Sequence, residues 1–196
     1  MVRPTADRLA GVIGLFFVLL ALVYASVTPI FEPPDEAAHF LYIHNLLRQG
    51  ELPVMQDRRT TIAETTPLET RLSLQIHHPP LYYLGGALLI SWTQRADVLD
   101  YLQVNPFAAY GVVTPNNQNV FLHRPAVPTG DTALAVYILR LYSIALAAGT
   151  LTCVYRTARL IVGARTALVA LLLVASIPTF IFISASINND NLVTFF

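Results

Sequence analysis

The chain has 196 residues, of which 55% are hydrophobic and 12% charged; an ordinary soluble domain carries roughly 25% charged residues. That balance excludes an ordinary soluble domain and places the chain among integral membrane proteins. The formal net charge is zero, so no global field argues for a nucleic-acid partner, and the lone Cys153 excludes an internal disulfide.

Taken in order, residues 1–8 are short and carry Arg3, Asp7 and Arg8. Residues 9–28 run without a charge, and at ~1.5 Å rise per residue they match the ~30 Å hydrocarbon core. A signal peptide is the competing reading. Its apolar core would be shorter, ~7–15 residues, and would end at a small-residue cleavage site, whereas this run ends in Thr28-Pro29-Ile30-Phe31. An uncleaved first span is therefore expected.

Residues 29–132 form a long, mostly polar segment that holds every histidine. Two helices are expected in it. The first, over residues 35–49, lies between Pro33-Pro34 and Gly50, the usual start and stop punctuation. Phe40, Ile43 and Leu47 form an apolar stripe, and Asp35, His39 and Tyr42 recur on another side, as in a helix lying on a membrane surface. The second, over residues 81–93, is too short to span. Its Tyr82, Tyr83 and Trp92 suit an interface. Residues 51–76 and 94–130 read as irregular.

Further spans are expected over residues 133–155, interrupted by Arg140, and 167–187, which contains Pro178. Arg156, Arg159 and Arg165 lie in the connection between them. Residues 191–196 look like the start of a fourth span. The fold expected is therefore all-α and integral to the membrane: three transmembrane helices plus the start of a fourth, with a long external loop carrying two interfacial helices. Short-loop arginines concentrate on the cytoplasmic side. That rule puts the N-terminus in the cytoplasm and residues 29–132 outside.

Chemistry is expected first at Asp35 and Glu36, where lipid gives way to water. Two readings remain open from spacing. The pair can be a helix start in favourable contact with the helix dipole, or it can hold a general base for an acceptor hydroxyl. Asp35 and His39, with one of His77 and His78, also offer ligands to a divalent metal, although the spacing matches no strong metal signature. No other cofactor is implied. His44 and His123 read as surface or loop residues. Arg140 either snorkels to the interface or meets a lipid-linked phosphate. Asn188-Asn189-Asp190 is either a helix cap or a second acidic site facing the same side as Asp35.

The stretch from Thr28 through Glu32-Pro33-Pro34-Asp35-Glu36-Ala37-Ala38-His39-Phe40 resembles the first external loop of polytopic GT-C glycosyltransferases. The likeness is to the protein O-mannosyltransferase-like and aminoarabinose-transferase-like group and to related uncharacterised bacterial membrane proteins. His77-His78-Pro79-Pro80-Leu81-Tyr82-Tyr83, Leu139-Arg140-Leu141-Tyr142-Ser143 and Ser186-Ile187-Asn188-Asn189-Asp190-Asn191-Leu192 fit the same pattern in the same order. The resemblance implies a polyprenyl-phosphate sugar donor, an unidentified acceptor, and transfer at the external face of a bacterial plasma membrane. It implies Asp35 as the catalytic acid of the first loop, Glu36 as its partner and Asp190 as a second acidic position. His39, His77 and His78 are carried over as cavity-lining candidates, and with Arg140 and Asn189 they make up the candidate substrate-binding residues. The rival is a non-enzymatic membrane subunit whose external loop docks a partner.

Enzymes of the resembled kind have about ten or more spans of ~20 residues each, so residues 1–196 are expected to be the N-terminal part of a longer membrane protein and inactive alone. The sequence accounts for 21.6 kDa. Intact mass measured on native protein extracted from its own membranes should come out several tens of kDa higher; a mass near 21.6 kDa would contradict that expectation.

Overall fold

The computed structural model describes residues 4–52, 77–106, 119–123 and 130–196. Among them the chain is helical and holds no strand; Val104 and Phe121 form one isolated antiparallel bridge. The helices are α1 (Pro4–Val27), α2 (Glu36–Gln49), α3 (Leu81–Ile90), α4 (Val98–Tyr101), α5 (Asp131–Val162), α6 (Ala164–Ala175), α7 (Pro178–Ser184) and α8 (Asp190–Phe195). They fall into two compact units, residues 1–27 with 140–196, and residues 28–139. Helix α5 begins in the second unit and continues in the first.

In the first unit, α1 packs against α6 and α7. The core is Phe17, Ala147, Leu151, Tyr155, Ala167, Leu171 and Ile181, with a second cluster of Ala21, Ala25, Ile144 and Ala185. Five of these eleven are alanine, and small side chains let helix backbones approach where packing rather than water exclusion holds them. Gly149 does the same for the Phe195 ring, since a Cβ there would lie 2.6 Å from it. The outer side of α1 carries exposed Val12, Leu15, Phe16, Leu19 and Val23. Helices α1 and α5 are each long and apolar enough to cross a membrane, and only 22% of the α1 window is buried within the protein.

The expected third span is a bent pair. Helices α6 and α7 meet at 67°. Pro178 stands at the first position of α7; it lacks an N–H and forbids helical geometry to the residue before it, and Ile177 is extended (φ −69°, ψ 115°). The apolar count saw one run where proline makes two helices. The arginine-bearing connection also differs. Helix α5 runs through Arg156 and Arg159 to Val162, and the break is Gly163 (φ 84°), after which Arg165 opens α6.

Asp7 in the first turn of α1 accepts the Tyr155 hydroxyl at 2.9 Å and pairs with Arg159, tying α1 to α5. Arg140 is fully buried rather than snorkelling. Its Nη1 donates to the Ala25 carbonyl at 2.6 Å, one of the last four carbonyls of α1 that have no partner within the helix.

In the second unit, α2 packs on α3. Helix α2 is not the surface helix its stripe suggested. Ten of its fourteen residues are buried, because α3 and the loops around it cover the side on which His39 and Tyr42 lie. Tyr82 and Tyr83 are likewise fully buried instead of interfacial; Trp92 is exposed. Within the stretch read as irregular, α4 forms one turn, and Asp97 Oδ1 accepts the Thr132 N–H and hydroxyl at the start of α5 (3.1 and 2.6 Å).

The close approach of α3 rests on Gly86, where a Cβ would lie 2.7 Å from Ile43 and 2.9 Å from Leu139. Gly86→Leu should destabilise the chain by about 1–3 kcal/mol through overpacking. Gly14→Ala, where a Cβ meets nothing within 4 Å, should be neutral or stabilising by up to ~1 kcal/mol. Thermal unfolding of both variants in one detergent checks the contrast.

Candidate functional site

The site is built by the turn between residue 28 and α2. Three prolines, Pro29, Pro33 and Pro34, fix φ and remove backbone donors. The turn closes through Glu32 N–H to Pro29 C=O (3.3 Å) and Glu36 N–H to Pro33 C=O (3.2 Å). Phe31 takes a left-handed conformation (φ 68°), costly for a bulky residue. It is held there by burial against Phe40 and Phe121, and by its N–H donating to Glu36 Oε2 at 2.9 Å.

Glu36 is fully buried. Its carboxylate turns back onto the preceding loop, so its position in the site is that of a support beneath Phe31. Glu32 does similar work at longer range: it accepts the N–H groups of Val120 (2.9 Å) and Phe121 (3.0 Å) and pairs with His123 Nε2 (2.7 Å). Sequence reasoning quoted Glu32 only as part of a motif and left His123 to a loop. A carboxylate between two prolines, where local N–H partners are scarce, was the available signal.

Asp35 stands apart from both. It occupies the N-cap position of α2, and its carbonyl accepts the first helical bond from His39 N–H at 2.9 Å. A capping aspartate normally sits in extended backbone with its side chain on the second or third helical N–H. Asp35 is left-handed (φ 59°) and makes no side-chain cap bond. Its side chain is exposed and has no hydrogen-bond partner among the described residues. The dipole at the helix start still favours its charge, but the ordinary capping role does not explain the residue.

One turn further on, His39 is buried, with Nδ1 hydrogen-bonded to the Tyr83 hydroxyl at 2.8 Å. Tyr83 also stacks on Tyr42 with ring centroids 3.8 Å apart. The His78 ring lies 5.6 Å from that of His39, and His77 lies 4.2 Å from His78. The structure thus brings His39, His77 and His78 together. Burial first, then the neighbouring His78 and His77, push the His39 pKa down to about 3. It is a neutral hydrogen-bonding group near neutral pH, not a proton carrier. Burial also raises the Tyr42 hydroxyl pKa. Among the described residues no group of three His, Cys, Asp or Glu side chains is placed to hold a metal ion.

The remaining predicted residues lie in the other unit. Asp190 is exposed on the first turn of α8, and its N–H donates to Asn188 Oδ1 at 2.8 Å. Asn189 is buried at the N-cap position without a side-chain cap bond. The residue that organises this turn is Asn191, whose Nδ2 donates to the carbonyls of Ile183 and Asn188, each at 3.1 Å. No protein-family model, curated protein or solved structure matches the chain.

Because the folded state resists protonating His39, the unfolded chain binds more protons between about pH 6.5 and 3. The contribution of His39 is fully present above pH 6.5 and is lost as pH falls through that window, with a slope of up to ~1.4 kcal/mol per pH unit. Thermal stability of the wild-type chain should therefore fall more steeply below pH 6.5 than that of His39→Gln. Parallel pH profiles would contradict the placement of His39.

Proposed function

We propose that this chain carries the acceptor-activating part of a GT-C-like membrane glycosyltransferase. In this proposal a sugar passes from a polyprenyl-phosphate donor to an acceptor hydroxyl at the non-cytoplasmic face. The observation that carries the reading is Asp35: an exposed carboxylate, presented from a left-handed residue, that caps no helix. A buried turn costs strain at Phe31 and burial of Glu36 to hold that one acid in the open. Catalytic groups are often presented from such overdetermined turns.

The reaction proposed is a direct displacement. The acceptor oxygen bonds to the anomeric carbon while the bond from that carbon to the phosphate oxygen breaks. The acceptor proton goes to Asp35, and the bonding pair leaves with the lipid phosphate. His39 would line the acceptor side as a neutral hydrogen-bonding group, with His78 and His77 beside it. Glu36 acts as a positioning residue. Asp190, Asn189 and Arg140 keep roles that rest on the resemblance alone.

The membrane setting has separate support. Helices α1 and α5 have the length and hydropathy of spans. Arg8, Arg156, Arg159 and Arg165 cluster at the chain positions expected to be cytoplasmic, which leaves residues 29–132 outside by the positive-inside rule.

In the complete membrane protein, Asp35→Asn should lower sugar transfer by about 10²-fold or more without loss of membrane insertion. Undiminished transfer would sink the assignment. A wild-type protein with no transfer and no affinity for a sugar-lipid, recovered in a stable complex with another membrane protein, would favour the docking-subunit reading.

A further inference from the structure

The second unit holds a cavity of about 390 Å³ lined by His44, Arg48, Gln94, Arg95, Val98 and Leu99, with Ala96 completing the wall. Among the described residues its lining contains two guanidinium groups, an imidazole and an amide, and no carboxylate. The cavity shares no lining residue with Asp35, His39, His77 or His78.

Arg95 is the unusual member. It is only 8% exposed, and a buried cation ordinarily has a carboxylate partner. Among the described residues Arg95 forms no ion pair within 4 Å. Its Nη1 donates to the carbonyls of Ile90 (2.6 Å) and Thr93 and to Thr93 Oγ1 (2.5 Å). Its Nε is buried with no partner, and its Nη2 makes no hydrogen bond to any described residue. A guanidinium has five N–H donors, so three remain unused. Asp131, whose Oδ2 accepts the Gln94 N–H at 3.2 Å, supports the charge from further off against the cost of burial without bonding the guanidinium directly.

Arg95 also stands in a left-handed conformation (φ 54°), and its carbonyl bonds close the turn after α3. The backbone is therefore shaped to hold this side chain in place. Arg48 reaches the same cavity from the last turn of α2 and has no partner among the described residues. Two guanidiniums on one cavity, neither hydrogen-bonded to a carboxylate among the described residues, match a tetrahedral oxyanion, which accepts paired N–H groups bidentately. The cavity exceeds what a bare anion fills. Val98 and Leu99 supply an apolar wall on one side, which suits a ligand with an organic part.

We propose that the cavity between α2 and the turn after α3 binds the phosphate group of a phosphate ester, held by Arg48 and Arg95. The phosphate can arrive on a soluble ester or on a lipid headgroup. The site stands on its own observations and does not depend on Asp35 acting in sugar transfer.

The test uses the full chain in maltoside micelles, which carry no phosphate. Trp92, the single tryptophan, lies three positions from Arg95 and serves as the fluorescence reporter. Inorganic phosphate and glycerol 3-phosphate are titrated in one arm, and mixed micelles with increasing phosphatidylglycerol form the other. Saturable binding is expected in at least one arm, weakened about tenfold or more, some 1.4 kcal/mol, by Arg48→Gln. That variant should fold normally because Arg48 is exposed and unpartnered. Saturation by the soluble anions identifies a soluble ester, and saturation by phosphatidylglycerol alone identifies a lipid headgroup. No saturable response in either arm, or equal affinity in wild type and Arg48→Gln, overturns the site. Arg95→Lys, which keeps a donor for the Ile90 and Thr93 carbonyls, should fold and also bind more weakly.

Discussion

The unit formed by residues 28–139 depends on carboxylates bonded to backbone N–H groups. A turn with prolines at 29, 33 and 34 has few N–H donors of its own, and those that it buries need acceptors. Glu36 supplies an acceptor for Phe31, and Glu32 supplies one for Val120 and Phe121 some ninety residues later. Bonds from N–H to an ionised carboxylate are about twice as strong as neutral ones, and a buried donor left without one costs about 1–3 kcal/mol. With both in place Phe31 can remain left-handed and buried, and Phe40 and Phe121 pack around it. The segments 28–35 and 119–123 are thereby joined, and α2 starts at a defined place.

That arrangement divides three neighbouring acids by task. Glu32 and Glu36 are structural. Asp35 is left exposed at the mouth of α2, its side chain without a hydrogen-bond partner among the described residues, and the buried His39–Tyr83–Tyr42 stack is uncharged near neutral pH. The proposed functions of this unit are thus assigned to groups that folding leaves unused among the described residues, Asp35 in one case and the remaining donors of Arg95 in the other.

Much of this was legible in the sequence, for physical reasons that can be named. Pro33-Pro34 and Gly50 bracket α2 to within a residue, because proline and glycine act locally on φ. The uncharged run after Arg8 gives α1, because hydrocarbon thickness sets its length. Tertiary placement was not legible. The stripe of Phe40, Ile43 and Leu47 suggested one buried face, but α3 comes close enough at Gly86 to bury His39 and Tyr42 as well. Hydropathy saw a single span over 167–187, whereas the bend at Ile177–Pro178 is a backbone effect that hydropathy cannot register. Glu32 was missed because its partners lie far along the chain. Glu36 and Asp35 looked alike by spacing; burial and the bond from Phe31 N–H set Glu36 apart, and exposure on left-handed backbone sets Asp35 apart.

The division of labour among the three acids is tested most directly by the melting temperatures of Glu32→Gln, Asp35→Asn and Glu36→Gln, measured in the full chain in one detergent. Loss of a charged acceptor at Glu32 or Glu36 should cost about 1.5–3 kcal/mol, which for a chain of this size lowers the midpoint by roughly 2–4 °C per kcal/mol. Asp35→Asn should leave the midpoint unchanged or slightly raised, since asparagine tolerates left-handed backbone at least as well. A loss at Asp35 as large as at Glu32 and Glu36 would contradict the account, for it would make Asp35 one more structural carboxylate.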